Sequence, residues 1–372
     1  MTRFDIALIG AGMAGASLAA EIAGRASVLL IEAEPHPGYH STGRSAAFWS
    51  ESYGGPLVQP LTTASGPFLR DPPADFHDRS FLRPRGALHI AREDGAPALS
   101  AMKETFADSA VSLERVDAAQ LQAIVPGLRS GWHEGVYEPS CADIDVGALH
   151  AAYLAQARRR GAELVTDARL ASASRSAAGW TLETSRGRFE AIIIVDAAGA
   201  WADEVAATTG IRPVGIQAYR RTIAQLRVSP PASPDLPLVI DALGRFYFKP
   251  EAGGRLWLSP HDETACPPCD AAAEEIDVAL AIDRLQQVVD WEIEAVEHKW
   301  AGLRSFAPDR LPVIGFERGR DDFFWFAGQG GFGIQTAPAA AKLAAGLLLG
   351  EEADPLVLGI DLRPYRAERF TN

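Results

Sequence analysis

The sequence predicts an α/β fold in which a Rossmann-like dinucleotide-binding domain is combined with a second, sheet-based domain. Three observations predict it. Residues 4–9 (Phe-Asp-Ile-Ala-Leu-Ile) are a mostly apolar run that ends on Gly10-Ala11-Gly12-Met13-Ala14-Gly15. An Ala-rich helical stretch to Arg25 and a second apolar run, 27–31, follow and finish on Glu32. Late in the chain, residues 191–196 form another apolar run that enters Ala197-Ala198-Gly199. Between 214 and 300, short β-branched and aromatic runs separated by turn residues read as strands.

Each position of the first motif has a physical task. Gly10 makes the tight turn, Gly12 lets a pyrophosphate approach the backbone, and Gly15 lets helix and strand pack closely. Ala14 lies at the helix start, where free N–H groups and the positive end of the helix dipole receive phosphate. Glu32 stands twenty residues after Gly12, where an acid accepts hydrogen bonds from a ribose. A glycine-rich turn without a ligand would have no use for that acid.

After Glu32 and Ala33 the chain does not resume a second β-α-β unit. It enters a loop through Pro35 and Pro37 to Ser41-Thr42-Gly43-Arg44-Ser45-Ala46-Ala47. Residues 57–70 read as helix, 81–91 as strand, 93–128 as helical pieces and 132–137 as strand. Asp143 or Asp145 caps a helix over 146–160. Residues 180–189 read as a hairpin about Arg186-Gly187. The strand 191–196 passes through Ala198 and Gly199 into a helix from Trp201 to 208. Residues 214–228 read as a strand carrying Arg220-Arg221. Residues 238–240, 246–248 and 256–258 read as antiparallel strands, 271–291 as helix, 296–300 and 323–326 as strands, and 334–349 as helix.

Composition narrows the function. Of 372 residues 47% are hydrophobic and 22% charged, enough for buried cores and about two domains. A net charge of −13 argues against nucleic acid as a partner. The longest apolar stretch, 337–349, is interrupted by Pro338 and Lys342, so no transmembrane segment is expected. The first strand starts close to Met1, which leaves no room for a secretory leader and points to the cytoplasm, with peripheral membrane attachment left open. Cys266-Pro267-Pro268-Cys269 lacks the second ligand pair of a zinc site and reads as structural loop; no metal is expected.

These pieces resemble the D-amino-acid oxidase superfamily of FAD-dependent oxidoreductases and, within it, are most similar to the D-arginine dehydrogenases. The resemblance is densest over 38–54, 300–306 and 329–336, with the Pro308 to Gly315 stretch similar to the superfamily's C-terminal signature. It implies an interleaved fold, with an FAD-binding domain from 1–80, 143–213 and 302–372 and a mixed or antiparallel substrate domain from 81–142 and 214–301. It implies a non-covalent FAD, since no cysteine lies near Gly302, where relatives of the sarcosine-oxidase type attach the flavin. Residues matching cofactor contacts are Ser41, Arg44, Ser45, Ala46, Val165, Ala198, Gly199, Trp201, Gly302, Gly330, Gly331, Gly333, Ile334, Gln335 and Thr336.

By the same resemblance the activity is oxidative deamination of a D-amino acid by hydride transfer from Cα to flavin N5. Arg221 and Arg304 match residues that clamp the carboxylate, a task suited to the guanidinium fork. Tyr53 and Tyr247 match hydroxyl donors, and the Gly331 carbonyl matches a partner for the substrate amine. The electron acceptor is a quinone, another carrier or O2. The chain departs from the D-arginine enzymes at Ala87, where they carry an acid, and at Phe48, where they carry a histidine; Ser50 is a smaller change. A cation left unpaired in an apolar pocket is costly, so neutral, hydrophobic D-amino acids are expected in place of D-arginine, with Glu51 as the one acid able to stand in. The competing readings are a glycine- or sarcosine-type oxidase using O2, and an FAD-binding subunit serving a partner complex.

Overall fold

The computed structural model describes residues 3–370. The opening strand Arg3–Ile9 is parallel to Val28–Ile31 on one side and to Gly187–Asp196 on the other. Glu163–Val165 extends this sheet beyond Val28–Ile31, and Phe323–Ala327 extends it beyond Gly187–Asp196. A meander of Leu170–Ser176 and Gly179–Thr184 completes that edge. The strands are apolar on both sides because both faces are covered. One face carries three helices, Met13–Ile22, Val146–Arg159 and Gly333–Leu349. Ala16, Ala19 and Ala20 of the first meet Ala337, Ala340, Ala341 and Ala344 of the last within one core, small residues that let the helices approach closely.

The second sheet has ten strands. Its axis is the antiparallel ribbon of Gln217–Ser229 with Glu292–Phe306, paired from Gln217 opposite Phe306 to Ser229 opposite Glu292. Arg255–Ser259, Tyr247–Glu251, Leu238–Asp241, Ala87–Ala91 and Glu134–Glu138 follow in that order. The period-2 alternation sorts side chains between two faces. Leu88, Ile90, Leu226, Phe246, Phe248 and Leu258 pack under the helix Glu275–Gln286. The odd-numbered partners Ala87, His89, Arg221, Ile223 and Tyr247 face the other way, toward the first sheet.

Several expected elements are redrawn. The strand expected over 81–91 is two strands in different sheets, Leu82–Pro84 and Ala87–Ala91. Pro84 cannot donate to a ladder, and Gly86 takes a positive φ of 73°, which turns the chain. The helical region 93–128 contains the strand Glu114–Asp117, and the helix of 271–291 is confined to Glu275–Gln286. The short strand of 296–300 belongs to Glu292–Phe306, which runs through Gly302 without interruption. Leu238–Asp241 is antiparallel to Tyr247–Glu251 but parallel to Ala87–Ala91. Asp145 is the helix cap, its side chain accepting from the Ala148 N–H at 2.9 Å. The three cysteines are free. No helix among the described residues is long and apolar enough to cross a membrane, and none of their acidic, His or Cys side chains cluster as a metal site.

Asp143, the other cap candidate, joins the small sheet of Phe48–Trp49, Ala142–Ile144 and Leu82–Pro84 to the large one. It accepts from Arg85 Nε and Nη2 at 2.9 and 2.7 Å and from Lys249 Nζ at 2.8 Å. Burial pushes its carboxyl upward, but Lys249 and Arg85 outweigh that and hold it below the ordinary aspartate value. Asp143→Ala leaves two buried cations without their partner and is expected to cost about 3–5 kcal/mol, read as a fall in denaturation midpoint. Because the folded value is depressed, the stabilisation is present above the ordinary pKa and is lost as pH falls through the lowered one. The variant therefore loses less stability than the parent on acidification below about pH 4, which acid titration of unfolding checks.

Candidate active site

A cavity runs along the C-terminal edge of the first sheet, where doubly wound sheets bind their ligands. Gly10 opens it with φ 100°, and a Cβ there would sit 2.5 Å from the Ala197 carbonyl oxygen. A Cβ on Gly15 would lie 1.8 Å from the Gly10 carbonyl oxygen, so both positions need glycine for close packing. Glu32 is buried and accepts from the Ala11 N–H at 2.8 Å and the Glu34 N–H at 3.0 Å. It still lines the cavity beside Ala33, with carboxylate lone pairs left for a ribose. Thr42 Oγ1 takes the Met13 N–H at 3.0 Å, while Gly12 and Ala14 present to the cavity amides that the helix itself does not satisfy.

The opposite wall is made by Ser41, Arg44, Ser45 and Ala46, then Ala198, Gly199 and Trp201, with Gly302, Gly330, Gly331, Gly333 and Ile334 at the far end. The N-terminus of Gly333–Leu349 points its partial positive charge there. This donor set fits a dinucleotide extended from Glu32 to the helix Gly333–Leu349. Three expected contacts stand behind the wall. The Val165 carbonyl accepts the Glu32 N–H at 2.9 Å and so fixes that acid. Gln335 is buried and braces Ser50, Tyr53 and Thr62, accepting the Ser50 N–H at 3.1 Å and donating to the Tyr53 carbonyl at 3.2 Å and Thr62 Oγ1 at 2.9 Å. Thr336 Oγ1 bonds the Phe332 carbonyl at 2.8 Å. Arg44 donates to the carbonyls of Tyr39, Ala271 and Ala301 at 3.0, 2.7 and 3.0 Å, and to Asp270. It ties the cofactor loop to the large sheet.

At the far end the cavity meets Arg221, Tyr247 and Arg304. In the ribbon Arg221 lies opposite Gly302 and Arg304 opposite Tyr219, which makes the two arginines diagonal neighbours on one face. Arg221 Nε donates to the Asp262 carbonyl at 2.6 Å and Nη2 to Glu263 at 3.1 Å, whereas its buried Nη1 has no partner. Arg304 Nη1 donates to Tyr53 Oη at 2.8 Å and forms no ion pair among the described residues. The Tyr247 hydroxyl is also buried without a partner. Burial and the charge of Arg304 lower the pKa of Arg221, and burial with both arginines lowers that of His261 to about 3. Glu263 and Asp262 offset part of the two guanidinium charges, and Glu263 is shared with Arg310, while Arg221 Nη1 and the Tyr247 hydroxyl stay as unpaired donors. Such an arrangement can receive an anion.

Gly331 sits against this cluster: a Cβ there would meet Tyr53 Oη at 2.2 Å and Arg304 Nη1 at 3.1 Å. Beyond Tyr247 and Arg304 a second chamber opens, lined by Phe48, Ser50, Tyr53, His89, Leu99, Met102, Ile240 and His261 among others. Phe48 and Ser50, expected in the substrate pocket, both line this chamber. Ala87 is fully buried with Ala46, Cys141, Ile223 and Leu238 and lines neither cavity. Glu51 is buried as well, accepting from Thr63 Oγ1 at 2.6 Å. Sequence reasoning passed over Thr42, His89 and His261; for His89 the alternation with Leu88 and Ile90 was the available signal.

The FAD dependent oxidoreductase (DAO) family model matches residues 5–347. The chain belongs to this family. Its cofactor is FAD, and none of the three cysteines lines the cavity. A relative, glycine oxidase from Pseudomonas aeruginosa, is 30% identical over 266 residues, covering 68% of this chain and 67% of that protein. Glycine oxidase from Geobacillus kaustophilus is 24% identical over 380 residues, covering 99% and 97%. The fold is shared with the crystal structure of the latter protein (TM-score 0.86, 23% identity, all of both chains). It is also shared with L-proline dehydrogenase from P. horikoshii (TM-score 0.84, 22% identity, 99% and 98% of the chains).

Gly331→Ala is expected to displace Tyr53 and Arg304 while leaving the dinucleotide cradle in place. Bound FAD per chain should stay near the parent's, while the rate of flavin reduction falls by about 100-fold, as for an ångström-scale misplacement. Flavin absorbance and anaerobic reduction kinetics check both halves.

Proposed function

We propose that this protein oxidises free α-amino acids at the Cα–N bond, holding the substrate carboxylate on Arg221 and Arg304. The observation that carries the reading is the pair of guanidiniums on one sheet face, Arg221 buried and Arg304 half-buried, with unpaired donors at the cofactor cavity. FAD, when bound, would supply the acceptor for a hydride leaving Cα. The chain's own residues bind and orient. Arg304 and Arg221 offer the carboxylate charge-assisted hydrogen bonds, with the hydroxyls of Tyr53 and Tyr247 beside them. Two nearby cations disfavour an ammonium, so the substrate amine is driven to lose its proton to solvent, and the Gly331 carbonyl receives an amine N–H. Loss of the hydride from Cα and of a proton from nitrogen yields an imino acid, which hydrolyses to a 2-oxo acid and ammonia.

We take the substrate to be a neutral D-amino acid: the hand comes from the family resemblance, and the neutrality from the absence of an unpaired carboxylate in the second chamber. A second reading, oxidation of glycine or a secondary amine such as sarcosine, is favoured by the names of the relatives. Anaerobic mixing of the FAD-loaded protein with D-amino acids, glycine and sarcosine separates the two. Neutral D-amino acids are expected to bleach the flavin at lower concentration than glycine or sarcosine. Bleaching by sarcosine alone moves the assignment to the second reading, and admitting air then tells O2 from a quinone or other carrier. Arg304→Leu should raise the half-saturating substrate concentration roughly 30-fold or more, the loss expected when a buried charged partner is truncated.

A further inference from the structure

We infer that the chamber beyond Tyr247 and Arg304 receives the substrate side chain, and that His89 selects side chains ending in a neutral hydrogen-bonding group. This rests on the amino-acid reading above and names the substrate class more closely.

The chamber and the cofactor cavity share two wall residues, Arg304 and Tyr247. A carboxylate held by Arg304 therefore leaves the rest of an amino acid at the chamber mouth. The mouth is aromatic, with the Phe48 ring centre 5.4 Å from that of Tyr53 and 6.3 Å from that of Tyr247. Leu99, Met102 and Ile240 continue the apolar lining. Glycine would leave this space unused.

His89 is the polar exception. Strand alternation turns it away from the core that holds Leu88 and Ile90, and into the chamber. Its ring makes no hydrogen bond among the described residues, and its Nε2 is buried without a partner. The other imidazole of the chamber differs: His261 Nδ1 is engaged by the Gly244 carbonyl at 2.8 Å. A purely apolar chamber would be served as well by leucine at position 89, without an unpaired polar atom.

Charge decides what the imidazole meets. The acid in the lining is Asp241, and Arg245 occupies it through Nε at 2.7 Å and Nη2 at 2.9 Å, so a cationic side chain finds no free carboxylate. Burial lowers the pKa of His89 to about 4 and, with the arginines, that of His261 to about 3, so both rings are neutral at pH 7. An anionic side chain then has only Arg304, which the substrate carboxylate already uses. A neutral hydroxyl or amide remains. It can pair with the imidazole and remove the cost of leaving it unsatisfied.

The test uses FAD-loaded protein and anaerobic flavin reduction with pairs of similar shape: D-glutamine against D-methionine, D-asparagine against D-leucine, D-tyrosine against D-phenylalanine. Glycine is the control too short to reach residue 89. In the parent, at least one polar member should reduce the flavin faster, as kred/Kd, than its apolar twin. His89→Leu should lower that ratio by about tenfold or more while changing glycine by less than about threefold. His89→Asn, which keeps a hydrogen-bonding group, should retain part of the ratio, and it serves as the measurement if the leucine variant does not fold. An unchanged ratio, or an equal loss on glycine, overturns the role of His89 and leaves the amino-acid reading standing. Bleaching by none of these compounds overturns both.

Discussion

Two like charges on one face of a β-ribbon set the terms for the rest of the molecule. Arg221 and Arg304 are diagonal cross-strand neighbours, a spacing of about 7–8 Å, the first buried and the second half-buried. Glu263 offsets part of that charge from one side, and Tyr53 adds a dipole from the other. The balance is left for something that arrives with a negative group. A long, continuous ribbon is what makes such an arrangement bearable. Gln217–Ser229 and Glu292–Phe306 pair from end to end, so the backbone at both arginines is held in one register.

The two sheets contribute different halves of the chemistry. The first supplies backbone, with glycine turns and two helix N-termini that face the dinucleotide cavity. The second supplies side chains, sorted by strand alternation so that its apolar face lies under Glu275–Gln286 and its polar face meets the cofactor. Gln335 links them. Its single amide holds the N–H of Ser50, the carbonyl of Tyr53 and the hydroxyl of Thr62, which positions the loop from which Tyr53 reaches Arg304.

The sequence carried the cofactor half of this plainly, because glycine spacing and an acid at the second strand end are local features. Arg221, Arg304, Tyr53 and Tyr247 were legible only through family resemblance, since nothing local distinguishes them from surface arginines and sheet tyrosines. What failed to show depended on distant partners. Ala87 reads as a pocket position but is packed shut by Ala46, Cys141, Ile223 and Leu238, which come from four other parts of the chain. Gly302 reads as the start of a cofactor segment, yet the strand that contains it begins at Glu292 and is held by pairing with Gln217–Ser229. Arg44 reads as a cofactor contact; it does line the cavity, but its guanidinium is engaged by Asp270 and by the carbonyls of Tyr39, Ala271 and Ala301, three of these four partners lying more than 200 residues away.

That last side chain bears on how the cofactor stays in place. Arg44 is laced at once to Tyr39, Ala271, Ala301 and Asp270, which fastens the loop over one side of the cavity to the neighbouring sheet. A dinucleotide held against this wall is expected to leave more slowly than one resting on a free loop. Its escape waits on a sub-global opening that parts loop from sheet, so cofactor retention follows the local stability of that seam more than the strength of any single phosphate contact.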